Sequence, residues 1–327
     1  MENYQAAESV HFGMGTSMAH KAYGPYVHEA LKATEGEAQR LEELLSRFLP
    51  GSDIARVNGS AGIKREKITE EAFAVLFRAA EFSRICHGFF DVTIGPLVDL
   101  WDYKNAVCAP PEAKIKQMLS LVDHSCLTLD PKDLTAMLKK PGQSIDLGGI
   151  GKGYASDRFM EVFRRYGVTS AYSNIGGNVS TLGAKPDGSP WRVGIRHPRN
   201  EGSLIGAVCV SGQAVVTSGD YERYFVDRDG KRFHHILNPV TGCPAESGLI
   251  SVTVVAESAM TADALSTALF VAGMDRGLPL LEKFPGAEAA LVDSDLRVYV
   301  TRGLKRHFQA AAGIEAIVLD GLTEMKV

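Results

Sequence analysis

The sequence predicts an α+β fold. Strand-like segments outnumber helical ones and cluster in the second half, and the two kinds do not alternate strictly as a doubly wound α/β chain requires. With 327 residues the chain can bury a sizeable core, either as one domain over 1–327 or as two intimately packed lobes. One continuous unit is preferred, because no internal repeat, low-complexity run or obvious linker interrupts it.

Residues 10–24 alternate loosely and are expected as a first strand interrupted by glycine. Ala30, Leu31, Leu41, Leu44, Leu45 and Phe48 recur at helical spacing over 28–49, and Pro50-Gly51 ends that helix. A second helix is expected from Thr69 to Cys86, with Phe73, Leu76, Phe77, Ala80 and Ile85 on its apolar side. The segment 89–103 is apolar but broken by Gly95-Pro96, which points to an ordered loop holding a short helix. A helix at 111–121 and short strands at 126–129, 134–138 and 143–147 follow. A glycine-rich turn at 148–153 then opens a helix running to Tyr166, and 170–183 reads as strand, glycine turn, strand. Past Pro186 come the strands WRVGI, LIGAVCV, AVVTSG, RYFV and FHHIL, then an apolar strand at 250–256. Helices from Ser258 to Ala272 and after Asp275, and a strand pair near 287–292 and 297–300, complete the reading.

Composition narrows the function. Hydrophobic (45%) and charged (23%) residues occur in ordinary globular fractions and give no hint of disorder. A net charge of −4 argues against nucleic acid as the main partner, although a local basic pocket for phosphates is compatible with it. Cysteines 86, 108, 126, 209 and 243 are scattered, odd in number and without a CxxC pair, which fits neither a disulfide framework nor a zinc site. No apolar run approaches the roughly 20 residues of a membrane helix. Residues 1–20 carry Glu, Gln, Ser and His where a signal peptide has its apolar core, so a cytoplasmic chain and one trimmed of its leader both stay open.

Three stretches carry chemistry. In TADALSTALF (261–270), Asp263 and Thr267 are four residues apart and stack on one face of a largely buried helix. A carboxylate and a hydroxyl so placed offer two hard oxygens to Mg²⁺ or Ca²⁺, and the plainer alternative is an Asp that caps or solvates the helix start. SIDLGGIGKGYASD (144–157) misses the P-loop pattern, with Asp146 at its first position and Gly153 at its last, and misplaces the third glycine of the dinucleotide fingerprint. What is left is a helix N-terminus with backbone N–H groups and Lys152, a generic anion site, or simply a tight turn. In FHHILNPVTGCPAE (233–246), His234 and His235 point to opposite faces of a strand, so one can face a site while the other faces core. A histidine there is either a general base for a hydroxyl nucleophile or structural. Neither a Gly-x-Ser-x-Gly elbow nor an HExxH motif occurs, which disfavours covalent hydrolase and zinc chemistry.

Together these segments resemble the ApbE-type flavin transferases. The carriers are MGT (14–16), FDVTIGPLVDLW (90–101), IDLGGIGKGYASDR (145–158), SNIGGNVSTLG (173–183), TSGDYERYF (217–225), HHILNPVTGCP (234–244) and TADALSTALF. All seven stand in the family's order over nearly the whole chain; one departure is Asn238, where the family often has Asp. The resemblance implies a T-fold-like α+β arrangement of mixed sheets with packed helices. It also implies Mg²⁺-dependent cleavage of the FAD pyrophosphate, with FMN passing as a phosphoester to a Thr hydroxyl of an acceptor redox protein and AMP leaving. By position, Asp263, Thr267, Ser266 and the carbonyl of Gly149 match the family's Mg²⁺ ligands. Met14, Trp101, Asp102, Tyr103, Asp146, Lys152 and Leu237 match FAD-contacting positions, and His235 matches the candidate general base. Family members commonly act outside the cytoplasm on membrane redox subunits. Two other readings share the residues: an FAD pyrophosphatase that releases FMN and AMP, and a non-catalytic flavin-binding or storage protein.

Overall fold

The structure, a computed structural model, describes residues 5–319. It is a mixed α+β fold, and the expected class holds. β1 (Gln5–Gly13) and β2 (Thr16–Gly24) form an antiparallel hairpin where one interrupted strand was expected. The loop residues Met14 (φ 50°) and Gly15 (φ 72°) are both left-handed, the condition for a tight two-residue hairpin loop. α1 (Val27–Leu45) stops a turn short of Phe48, and α2 (Asp53–Gly59), too short to show a period, follows with Ser52 accepting the Ala55 N–H. After β3 (Glu66–Lys67), α3 (Glu70–Ile85) starts where expected, capped by Thr69 and carrying Glu70 and Glu71 in its first turn. α4 (Gly95–Trp101) has Pro96 in its opening turn and ends on left-handed Asp102. α5 (Glu112–Leu119), β4 (Leu127–Asp130) and β5 (Thr135–Leu138) fall in the expected places.

The strand expected at 143–147 does not form. Only an isolated bridge joins Ile94 to Ser144, and the Asn58 side chain takes both backbone groups of Ile145, donating to its C=O at 3.0 Å and accepting from its N–H at 2.7 Å. Then come α6 (Gly151–Arg165), β6 (Ser170–Ile175), β7 (Asn178–Leu182), β8 (Trp191–Arg196), β9 (Leu204–Val210) and β10 (Ala214–Gly219). β11 (Tyr224–Val226) pairs with β12 (Arg232–His234), which ends before His235. The C-terminal part holds β13 (Leu249–Ala256), α7 (Ala259–Leu281), β14 (Glu288–Asp293), β15 (Val298–Thr301), β16 (Phe308–Ala310) and β17 (Ala316–Leu319). Left-handed Gly273 (φ 74°) splits α7 into the two helical segments the sequence predicts.

The chain divides into two compact units. The first takes the described residues up to Arg40, Ile150–Ser218 and those from Gly248 onward. Its nine-stranded sheet runs β1-β2-β6-β7-β10-β13-β14-β15-β17, and a three-stranded sheet runs β16-β9-β8. α7 packs along β13, whose eight residues are all buried, Ser251 and Thr253 among them. The second unit takes Leu41–Gly149 and Gly219–Ser247, with helices α2 to α5, the sheet β3-β5-β4 and the β11/β12 ribbon. Its apolar centre gathers Leu97, Trp101, Ile115, Phe225, Phe233 and Leu237. No helix among the described residues is long and apolar enough to cross a membrane.

The first unit also buries a titratable group at some cost. His20 is 1% exposed, stacks on His11 (centroids 5.0 Å apart) and meets the edge of Phe159 at 5.3 Å, with no hydrogen-bond partner for either ring nitrogen among the described residues. Desolvation first, and the neighbouring His11 second, lower its pKa from 6.5 to about 3. The folded chain therefore keeps His20 neutral where the unfolded chain protonates it, so stability falls as pH drops below 6.5 and this loss levels off near 3. Denaturant titrations are expected to lose up to about 1.4 kcal/mol per pH unit in that window through this residue. The slope should flatten in His20→Leu.

Candidate functional site

Two groups of side chains emerge, one in each unit. In the first, the start of α6 has no side-chain cap from its own segment: the residue before it, Ile150, offers none. The Asp263 carboxylate from α7 takes that place, its Oδ2 accepting the Gly153 N–H at 2.9 Å while the Lys152 Nζ lies 3.4 Å from Oδ1. Gly153 is required for this approach, since a Cβ there would lie 2.3 Å from the Ala259 carbonyl oxygen. α7 begins under Ser258, whose Oγ accepts the Thr261 N–H. One turn beyond Asp263, the Ser266 and Thr267 hydroxyls donate back to the Asp263 carbonyl at 3.0 and 3.3 Å. Ser218, at the end of β10, places its hydroxyl 2.8 Å from that of Ser266 and 3.5 Å from that of Thr267.

Lys152 is thus brought to the Asp263 carboxylate, and the Ser266 and Thr267 hydroxyls to the Asp263 backbone carbonyl and to Ser218. Asp263 is 3% exposed and Ser266 fully buried, while Thr267 is half-buried and is the accessible member of the turn. Ser218 was not singled out from sequence, although it lies inside TSGDYERYF. Met14 sits half-buried in the β1–β2 loop.

In the second unit, Trp101 is buried against Phe225 and Phe233 and donates its indole N–H to the Gly242 carbonyl at 2.8 Å; Leu237 is buried in the same cluster. Tyr103 packs against the His235 ring, with centroids 5.7 Å apart, and its hydroxyl accepts from Arg223 at 3.2 Å. His235 Nδ1 lies 3.1 Å from the Arg223 carbonyl oxygen. A carbonyl only accepts, so Nδ1 carries the proton and Nε2 is the basic nitrogen of the neutral ring. His234 is the buried, structural member of the pair: its Nε2 meets the Ala245 carbonyl at 3.0 Å, and burial lowers its pKa.

Asp102 is exposed at the left-handed end of α4 and accepts from Asn105. Asp146 accepts the Gly148 N–H at 2.7 Å and pairs with Arg47 at 2.8 Å. Arg47 also reaches Asp99 at 2.5 Å, and no local sequence signal marks it because its partners lie far along the chain. Gly149 is half-buried in the turn before α6. At Asn238, the amide oxygen accepts the Val240 N–H at 2.8 Å, so the turn forms without the carboxylate common at that place.

Chemically, a carboxylate with two hydroxyls one turn away suits a small hard cation that keeps part of its shell for water or ligand oxygens. The ammonium of Lys152 beside it also suits a neighbouring anion.

The fold is α+β, with a buried carboxylate paired to a lysine at the facing starts of two helices. The profile of the ApbE family matches residues 14–291. The chain is 34% identical over 272 residues to the FAD:protein FMN transferase of Klebsiella pneumoniae strain 342, covering 83% of this chain and 84% of that protein. It is 35% identical over 294 residues to the FAD:protein FMN transferase of Treponema pallidum strain Nichols, covering 85% and 81%. The ApbE protein of Thermotoga maritima MSB8 superposes with a TM-score of 0.85 at 34% identity, over 93% of this chain and 99% of that one. Pseudomonas stutzeri flavinyl transferase ApbE, in its apo form, gives 0.82 at 31% identity over 94% and 98%. The chain belongs to the ApbE family.

Proposed function

We propose that this enzyme, a transferase by family, is a Mg²⁺-dependent FAD:protein FMN transferase. The threonine hydroxyl of an acceptor protein attacks the FMN phosphorus of FAD, the bond from that phosphorus to the bridging oxygen breaks, and AMP leaves with the bridging oxygen. The observation that supports the reading is the Asp263 carboxylate held between the Gly153 N–H and Lys152 at the facing starts of α6 and α7, with the Ser266 and Thr267 hydroxyls one turn further along α7. Asp263, Ser266, Thr267 and the Gly149 carbonyl are the proposed oxygen donors to the ion. Bound magnesium would offset charge on the pyrophosphate oxygens, which is most of what phosphoryl transfer asks of a protein.

The remaining roles belong to the chain's own groups. Lys152 offsets phosphate charge. Met14, Trp101, Asp102, Tyr103, Asp146 and Leu237 are the proposed flavin-nucleotide contacts, with the buried Trp101 and Leu237 forming the apolar support. His235 Nε2 takes the threonine proton; its tautomer and its packing on Tyr103 favour this. His235→Ala is expected to slow transfer by roughly 10²- to 10⁴-fold with little change in FAD affinity. A collapse of FAD affinity with the rate at saturation preserved makes the histidine a binding residue instead.

The test is product analysis after incubation with FAD and Mg²⁺, with and without a peptide bearing a short Thr-containing acceptor motif (Asp/Ser-Gly-Ala-Ser/Thr-x-Thr). FMN on the peptide together with AMP supports transfer. Free FMN and AMP, with the peptide unmodified, mean a pyrophosphatase, and intact FAD retained by the protein means storage.

A further inference from the structure

The Asp263 carboxylate does not hold its place alone. Asp157, one turn after Gly153 on α6, directs its carboxylate at the first turn of α7. Its Oδ1 accepts the Ala259 N–H at 2.7 Å, and its Oδ2 accepts the Met260 N–H at 3.0 Å and the Ser258 hydroxyl at 2.8 Å. Those N–H groups are donors that the first turn of a helix leaves without partners in its own helix. One turn further along α7, Asp263 returns the favour by accepting the Gly153 N–H. The two helix starts therefore exchange carboxylates. Asp157 of α6 caps α7, Asp263 of α7 caps α6, and Gly153 lets the backbones meet closely enough for both. Burial pushes the Asp157 pKa up, while its three donors favour the charged form.

We propose that Asp157 is a positioning residue for the metal-binding carboxylate: by fixing the first turn of α7 against α6, it sets where Asp263 presents its oxygens to the divalent ion. This rests on the proposed role of Asp263. An ion–carboxylate bond is sensitive to displacements of a few tenths of an ångström, and groups that orient ligands typically change metal affinity by about 10- to 100-fold when altered. Asp157→Asn keeps the shape but turns one acceptor into a donor facing backbone N–H groups. Ser258→Ala is milder, removing one of the three donors and the α7 cap.

The experiment is Mn²⁺ binding to the full chain, followed by the paramagnetic signal of free Mn²⁺, for wild type, Asp157→Asn, Ser258→Ala and Asp263→Ala. Thermal melts and the Mg²⁺ dependence of turnover are measured alongside. Asp157→Asn should weaken Mn²⁺ at least about tenfold and raise the half-saturating Mg²⁺ equally, with turnover at saturating Mg²⁺ largely recovered. Ser258→Ala should shift both in the same direction by less, and Asp263→Ala should lose the ion. A lower melting temperature in Asp157→Asn with unchanged Mn²⁺ affinity, while Asp263→Ala loses the ion, overturns the positioning role and leaves the metal reading standing. Should Asp157→Asn not fold, unchanged Mn²⁺ affinity in Ser258→Ala overturns it equally. Full Mn²⁺ affinity in Asp263→Ala removes the metal reading itself, and the positioning role with it.

Discussion

Asp263→Ala is expected to abolish Mg²⁺-dependent turnover while FAD binding is partly kept. The loss should be at least roughly a hundred- to a thousandfold, the scale seen when one preorganised electrostatic group is removed from a reacting phosphate or oxyanion. The alanine variant alone is ambiguous, because Asp263 is also the cap of α6 and its removal leaves the buried Gly153 N–H without an acceptor, at about 1–3 kcal/mol. Asp263→Asn resolves the ambiguity. Its amide oxygen can still accept from Gly153 at unchanged volume, but it brings no negative charge to Lys152 or to an ion. Stability near that of wild type, combined with lost turnover, assigns the effect to charge. Turnover retained in the asparagine variant takes Asp263 out of the chemistry and leaves it a cap.

Gly153→Ala is expected to be among the most destabilising single-methyl substitutions in the chain. The added carbon would lie 2.3 Å from the Ala259 carbonyl oxygen and 2.7 Å from both the Ala259 carbonyl carbon and the Met260 Cα. These are backbone atoms, so no side chain can rotate away and the two helices must separate. Overpacking of this kind costs typically about 1–3 kcal/mol and more where the neighbours are rigid, and the upper end is expected here. Separation also pulls Gly153 from Asp263, so turnover should fall further than the loss of folded protein accounts for. Gly36→Ala in α1 is the control: nothing lies within 4 Å of its added carbon, and the gain in helix propensity should raise stability by up to about 1 kcal/mol. Equal melting temperatures for Gly153→Ala and wild type contradict the close approach of α6 and α7.

The sequence made some of this legible and hid the rest for identifiable reasons. α3 and the first segment of α7 were legible through apolar residues at helical spacing, Phe73 to Ile85 in one and Ala264 to Phe270 in the other; the Thr69 and Ser258 caps became visible only in the structure. The β1–β2 turn was hidden because Met14, a residue that rarely enters left-handed backbone, holds one of its two positions. At 143–147 the pattern suited a strand, but a side chain distant in sequence, Asn58, took the backbone groups a strand needs. β16 and β17 are only three and four residues long and exist by pairing with β9 and β15, so no local period marks them. In the site, the spacing of Asp263 and Thr267 was readable because it is a property of one helix. The capping of α6 by Asp263 and the grip of Arg47 on Asp146 were not, since each joins residues about a hundred positions apart. His235 was legible as a histidine of interest, but its tautomer comes from the Arg223 carbonyl, which the sequence does not place.

The most direct measurement is the intact mass of a Thr-containing acceptor peptide after incubation with FAD and Mg²⁺, beside the same reaction with Asp263→Asn. The account predicts a peptide heavier by one FMN less one water, fragmentation that places the addition on the threonine, AMP in equal amount, and no addition with the variant or with EDTA. A peptide of unchanged mass in the presence of consumed FAD, or an FMN adduct formed equally well by Asp263→Asn, contradicts it.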